Sequence, residues 1–349
     1  MSISLSAVTR SYDGHRAVDD VSLDIARGEF FAVLGPSGCG KTTMLRLIAG
    51  LETLDAGEIR IGGTTVASSV FHAPPEERNV GVVFQSYALW PHMTVADNVA
   101  FPIETRGAAR SDVQAQVASH LATVDLSAFA DRKPAALSGG QRQRVALARC
   151  LAQQASTVLM DEPLANLDPH LRAAMEVELK RFRDAANATV LYITHDQREA
   201  MALADRIAVM WSGQLQQVAT PDIVYAQPAN ERVARFIGRS AILDGHVTAV
   251  AADAVQVRIG QYDLTATSNS AMAEGPARVM IRPEWVVAAG DRASLSGIVR
   301  HTVYRGGVWE VTLEVPDLDD ALVMHLGERI AVGDTVPIQI ERAWVIPGR

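Results

Sequence analysis

Cysteine is scarce: Cys39 and Cys150 are the only two in 349 residues, so the chain offers no disulfide framework and a reducing cytoplasm is the expected setting. No apolar stretch approaches the roughly 20 residues needed to span a bilayer, and the N-terminus lacks a signal-peptide apolar region. Any membrane role is therefore expected to come through partners. Positive charge is not in excess either. With 32 Lys and Arg against 40 Asp and Glu, the net charge of −8 argues against a general nucleic-acid binder and against a polybasic membrane anchor. None of the nine histidines falls in an H-E-x-x-H or Cys/His zinc spacing, and no heptad repeat is present.

What is present is organised around residues 29 to 43. Phe30 to Leu34 is a short apolar run that reads as a buried strand and breaks at Gly35 into a glycine-rich turn, and Lys41 to Ala49 reads as a helix. Gly35, Gly40, Lys41 and Thr42 meet the pattern G-x-x-x-x-G-K-T in the strand, loop, helix context that it requires. Gly35, Gly38 and Gly40 let consecutive N–H groups converge on an anion, and the helix turns its positive end toward the same point. Lys41 is expected to reach the β and γ phosphates of a nucleotide, and the Thr42 hydroxyl to hold Mg²⁺.

The length suggests two domains, and 48% hydrophobic residues can build substantial cores. Residues 3 to 9 alternate as an edge-type strand, and Tyr12 follows in a turn, where its ring could stack on a purine or serve only the turn. Strands are expected at Val21 to Ile25, Gly57 to Ile61 and Val80 to Phe84, the last placing Gln85 at a carboxyl end, where ligands gather in open α/β sheets. Residues from about 86 to 150 read as a helical insertion: a proline-punctuated stretch from Tyr87 to Pro102, then a helix from Asp112 to Val124. Leu137-Ser138-Gly139-Gly140-Gln141 precedes a helix over Arg142 to Ala152. Ser138 resembles an N-cap there, and the glycines expose a second anion site without a lysine. Thr157 to Met160 delivers Asp161 and Glu162, and Thr189 to Thr194 ends at His195. Past a strand over Asp205 to Met210 and two short helices within Pro221 to Phe236, the α/β alternation stops near Gly238. Short alternating strands follow, the signature of a small β-barrel or sandwich.

These residues, in this order, resemble the ATP-binding cassette ATPase subunit of bacterial importers, in the branch that handles ferric iron, polyamines, sugars and related solutes. The resemblance implies an α/β P-loop ATPase domain with a helical subdomain over residues 1–238 and an all-β, OB-type (TOBE) regulatory domain over 239–349. By position, Tyr12 resembles the adenine-stacking aromatic, Gly35, Pro36, Ser37, Gly38, Cys39, Gly40, Lys41, Thr42 and Thr43 the Walker A loop, and Gln85 the Q-loop glutamine. Leu137 to Gln141 is similar to the family signature, Asp161 to the Walker B aspartate, Glu162 to the catalytic glutamate, Asp168 to the D-loop aspartate and His195 to the switch histidine. The D-loop departs from the pattern in carrying Ala165 where the family usually has serine. The cofactors implied are ATP and Mg²⁺, with Thr42, Gln85 and Asp161 around the metal. The partners implied are a second copy, whose Ser138, Gly139, Gly140 and Gln141 complete the pocket, integral-membrane permease subunits and, indirectly, a solute-binding protein; no nucleic acid is implied. That places the chain on the cytoplasmic face of the inner membrane, with the surface near Tyr87 to Met93 facing the permease. Ferric iron or polyamine is the expected solute, with sugar, phosphonate or sulfate left open. A soluble, non-transport cassette ATPase is the alternative of a different class, although such proteins usually carry two cassettes or a long coiled coil.

Overall fold

A computed structural model describes residues 2–84, 86–165, 167–186, 188–251, 254–269, 272–290 and 293–347, so Gln85 and Asn166 lie outside the described residues. The chain divides into two compact units, the first ending at Pro221 and the second beginning at Asp222.

The first unit is built on a six-stranded sheet in the order Gln214–Ala219, Arg206–Trp211, Phe30–Leu34, Thr189–Thr194, Thr157–Asp161, Val80–Val83. All neighbours are parallel except the edge strand Gln214–Ala219. The central strands are buried on both faces, which is why they read as continuous apolar runs. Their side chains alternate: Phe31, Val33, Leu159, Leu191 and Ile193 pack on one side with the helix Lys41–Ala49, while Phe30, Val158, Met160, Val190 and Tyr192 pack on the other with Ala146 and Leu147.

A second sheet, antiparallel, runs in the order His15–Ile25, Ile3–Tyr12, Ala56–Ile61, Thr64–Ser68, Phe71–His72. The edge strand expected over residues 3 to 9 is thus one arm of a long hairpin turning at Asp13 and Gly14. Ile3, Leu5 and Ile59 from this sheet share a core with Met44, Leu45, Leu47 and Ile48, so the helix Lys41–Ala49 lies between two sheets.

The helical insertion holds Val95–Thr105, Arg110–Thr123 and Gly139–Gln153 around Val99, Ile103, Val117, Leu121, Val145 and Ala148. The helix Val95–Thr105 contains Pro102, the residue that made this stretch read as broken. A capping box between Thr94 and Asp97 and the buried stripe Val95, Val99, Ile103 outweigh the one backbone donor that proline removes.

The second unit carries two five-stranded antiparallel sheets with one shared core, in which Leu243, Val257 and Val279 of one sheet meet Val299, Val311 and Ile338 of the other. The strands expected from the alternation, from Ile242 to Val250 at the start to Val336 to Ile340 near the end, appear within a few residues of those positions, as Ala241–Val250 and Thr335–Ile340. Two short ones, Val286–Ala288 and Trp344–Ile346, had too few residues to show alternation. Arg282, fully buried, donates to the carbonyls of Tyr225, Ile237 and Arg239 and lies 4.2 Å over the Tyr225 ring, which fixes the segment through Glu231–Phe236 to this unit. Among the described residues no helix is long and apolar enough to cross a membrane.

Candidate ATP-binding and hydrolysis site

Strand register assembles the site. Leu34 pairs with Thr194 and Asp161 with Ile193, so Gly35, Asp161, Glu162 and His195 all leave the sheet at its carboxyl edge, side by side. The glycine-rich turn closes there for steric reasons. At Gly35 a Cβ would collide with the Met210 carbonyl. At Gly40, whose φ of 107° is left-handed, it would collide with that of Ala17. Behind the turn, the Gly213 N–H donates to the Cys39 carbonyl at 3.0 Å. No side chain caps the helix Lys41–Ala49, so its first turn keeps its amide donors for an anion.

Lys41 is 6% exposed, and its ammonium donates to the carbonyls of Gly35 at 2.8 Å and Pro36 at 3.0 Å. Those are weak partners for a buried cation, and a phosphate oxygen would replace them favourably. Cys39, also buried, lies 3.9 Å from the Lys41 ammonium; burial pushes its thiol pKa up, with Lys41 opposing, so the group stays a thiol.

The Thr42 hydroxyl donates to Asp161 at 3.2 Å. Burial is the main cause that raises the Asp161 pKa, and Glu162 adds to it, against the pull of Thr42, Arg46 and Lys41. Glu162 sits in the left-handed region with φ 47°, its N–H donating to the Ile193 carbonyl at 2.9 Å. That strained turn brings its carboxylate to the His195 ring, with Nδ1 to Oε1 at 3.0 Å.

Of the expected site residues, the loop, Thr42 and Asp161 form one group, and Glu162 with His195 a second beside it. The signature residues bond to each other: the Gln141 N–H donates to Ser138 Oγ at 3.3 Å and the Ser138 N–H to Gln141 Oε1 at 2.9 Å. This capping box starts the helix at Gly139, three residues before its expected start at Arg142, and a Cβ on Gly139 would meet no neighbour among the described residues. Tyr12, 38% exposed, has the Arg10 guanidinium 4.8 Å over its ring. Asp168 caps the helix Pro169–Ala186 by accepting from the Leu171 N–H at 3.0 Å.

One supporting residue left no trace in the motifs. Arg78, 2% exposed, donates to the carbonyls of Leu47 at 2.6 Å, Ile48 at 3.0 Å and Ala73 at 2.9 Å, closing the carboxyl end of the helix that carries Lys41. Burial lowers its pKa to about 10, so it stays charged at neutral pH. Replacing Arg78 with methionine removes the charged donor from all three carbonyls, the Leu47 carbonyl keeping only the Gly50 N–H at 3.3 Å, and a loss of about 3 kcal/mol of stability is expected from urea unfolding followed by circular dichroism. A variant as stable as the parent would contradict the clamp.

A phosphate-binding turn, a buried aspartate on its threonine and a glutamate–histidine pair on adjacent strand ends define an ATP-hydrolysing P-loop protein of the ATP-binding cassette class. Comparison with known proteins agrees. Residues 18–165 match the ABC transporter family and residues 279–346 the TOBE domain. The spermidine/putrescine import ATP-binding protein PotA of Thermobifida fusca is 41% identical over 99% of this chain and 94% of its own length, and PotA 2 of Pseudomonas aeruginosa is 43% identical over 94% and 89%. A dimeric post-hydrolysis structure of the ATP-binding cassette MJ0796 bound to ADP and Pi covers 63% of this chain and 98% of that one, with 32% identity and a TM-score of 0.58. The chain belongs to the ABC transporter family as an importer ATPase subunit with a TOBE domain: it binds ATP and hydrolyses it to energise solute import.

Proposed function

We propose that two copies of this chain close around two ATP molecules and drive polyamine uptake through a membrane permease. The carrying observation is the cluster at the strand ends, Lys41, Thr42 and Asp161 beside Glu162 and His195. Glu162 polarises the attacking water, His195 steadies the γ phosphate, and Lys41 with the loop amides neutralises its charge.

The donor set fits Mg²⁺: a hydroxyl and a buried carboxylate that, among the described residues, has no cation at hydrogen-bond distance, both hard oxygens. Thr42 and Asp161 would hold the ion, with Gln85 as a further candidate from the sequence, and it would supply charge neutralisation at the phosphates.

The self-bonded signature, an anion site without a lysine, finds its use against the nucleotide held by the second copy. The structural relative MJ0796 is dimeric, which supports this arrangement. Closing a dimer from mostly open to mostly closed takes about 5.5 kcal/mol of differential binding, within reach of two bridged triphosphates.

Polyamine is favoured over ferric iron because the relatives cited carry spermidine/putrescine import in their names. The permease would hold the chain at the cytoplasmic membrane face, meeting the surface near Tyr87 to Met93. There the Trp90 and Phe101 rings lie 4.5 Å apart and Arg149 stacks on Trp90.

The test is to reconstitute the chain with its permease in lipid and add the solute-binding protein. Spermidine or putrescine should raise ATP turnover several-fold, and ferric iron should not. Stimulation by ferric iron or a sugar alone would overturn the polyamine assignment.

A further inference from the structure

We propose that Arg172 is a positioning residue for hydrolysis: it ties the D-loop to the two residues flanking His195, so that the placement of the His195 ring against Glu162 follows the position of the D-loop. The proposal rests on the ATPase reading of Glu162 and His195. It adds a route by which that pair is set.

Three contacts meet on one guanidinium. Toward the D-loop, the Arg172 guanidinium donates to the Leu167 carbonyl at 3.2 Å, while the backbone N–H of the residue donates to the Asp168 carbonyl at 2.9 Å as part of the helix. Toward the switch segment, it donates to Asp196 Oδ2 at 3.0 Å and pairs with Glu199 Oε1 at 3.5 Å. Asp196 is the residue after His195. Its other oxygen caps the helix Gln197–Leu203 through the Arg198 N–H at 2.8 Å, so the carboxylate has no slack.

Glu199 reaches the other neighbour. Its Oε2 accepts from the Thr194 hydroxyl at 2.8 Å and from the Tyr192 hydroxyl at 2.8 Å, and the Thr194 oxygen accepts from the Asp196 N–H at 2.9 Å. Thr194, His195 and Asp196 are thus held from both ends by groups that converge on Arg172.

Charge makes the hub obligatory. The Glu199 side chain is 3% exposed, and Asp196 and Glu176 are also close, Glu176 having a pKa raised first by burial and then by these two carboxylates. Arg172 faces all three acids, with Lys180 acting only on Glu176 in these pairings. The planar fork hydrogen-bonds the Asp196 carboxylate and the Leu167 carbonyl in fixed directions while its charge faces Glu199 at 3.5 Å, which the single ammonium of lysine cannot do. The D-loop borders the signature helix, since a Cβ on Gly140 would touch the Leu167 and Leu171 side chains. Docking of a second copy on that surface would therefore be felt at Leu167 and passed through Arg172 to His195.

The full-length chain is tested as Arg172→Met and Arg172→Lys, with Glu162→Gln as the control for the ATPase reading. Misplacing a catalytic group by about 1 Å can cost roughly 10²-fold, so Arg172→Met should lower kcat by about 10–100-fold with KM for ATP within about threefold, and Arg172→Lys should recover part of the rate. In a His195→Ala background, Arg172→Met should cost no more than about twofold, because both changes disable one unit; a full additive loss would show a merely structural role and overturn the proposal. With histidine isotope-labelled, Arg172→Met should shift the His195 side-chain NMR signals and leave those of His246, His301 and His325 in place. Unmoved His195 signals would also overturn it, and this readout needs no turnover, so it stands even if the parent chain proved inactive. Should Arg172→Met fail to fold, Asp196→Asn breaks the same tie from the other end and is judged by the same measurements.

Discussion

Replacing Glu162 with glutamine is expected to lower kcat by about 10²–10⁴-fold while ATP stays bound with near-parental affinity. Glutamine has the same length and keeps an oxygen that the His195 ring can donate to, so the 3.0 Å contact and the left-handed turn at residue 162 are preserved. What is lost is basicity. ATP held by Lys41 and the turn amides should therefore accumulate uncleaved and hold two copies together. Steady-state hydrolysis and light scattering with and without ATP check both halves. Turnover within tenfold of the parent would remove Glu162 from its role. A loss of turnover with no ATP-dependent dimer would leave the role intact but deny the paired pocket.

The features legible in the sequence were those whose cause is local. A strand that ends in glycine, or in two carboxylates, announces its own carboxyl edge, so Gly35 to Thr42, Asp161, Glu162 and His195 could be placed before the register that aligns them was known. The β-rich tail was legible because several of its strands, Val255–Ile259 and Thr335–Ile340 among them, carry their own alternation. What escaped depends on distant partners. No motif pointed to the burial of Arg78, Arg172 or Arg282, whose partners lie far along the chain: Leu47 and Ile48 about thirty residues from Arg78, Asp196 24 residues from Arg172, and Tyr225 57 residues from Arg282. No periodicity encodes such pairings. The helix Val95–Thr105 is the opposite case, since its signals, Thr94 with Asp97 and the stripe Val95, Val99, Ile103, were present and the weight given to Pro102 hid them.

Asp161→Asn is expected to move stability and activity in opposite directions. In the folded chain the Asp161 pKa lies above its ordinary value of 3.8, chiefly through burial, so the folded state binds this proton more tightly than the unfolded one. The sign follows: this group's effect is absent well below pH 3.8 and turns against folding as pH rises through the raised value, so at neutral pH the ionised carboxylate costs stability. Asparagine removes that cost and keeps an oxygen to accept from the Thr42 hydroxyl. The ligand-free variant should thus melt higher than the parent at pH 7, with the difference vanishing toward pH 3.5. The same change takes away the hard, charged oxygen proposed to hold Mg²⁺, and kcat is expected to fall by about 10³-fold. Mg²⁺ with ATP should raise the melting temperature of the parent more than that of the variant, because only the parent has a buried charge to neutralise. Calorimetry at pH 3.5 and pH 7, with and without Mg²⁺ and ATP, checks each part. A variant that melts lower than the parent at pH 7 would show that Asp161 is held ionised by its surroundings and that the carboxylate stabilises the empty site. A variant that keeps its turnover would instead remove Asp161 from the metal.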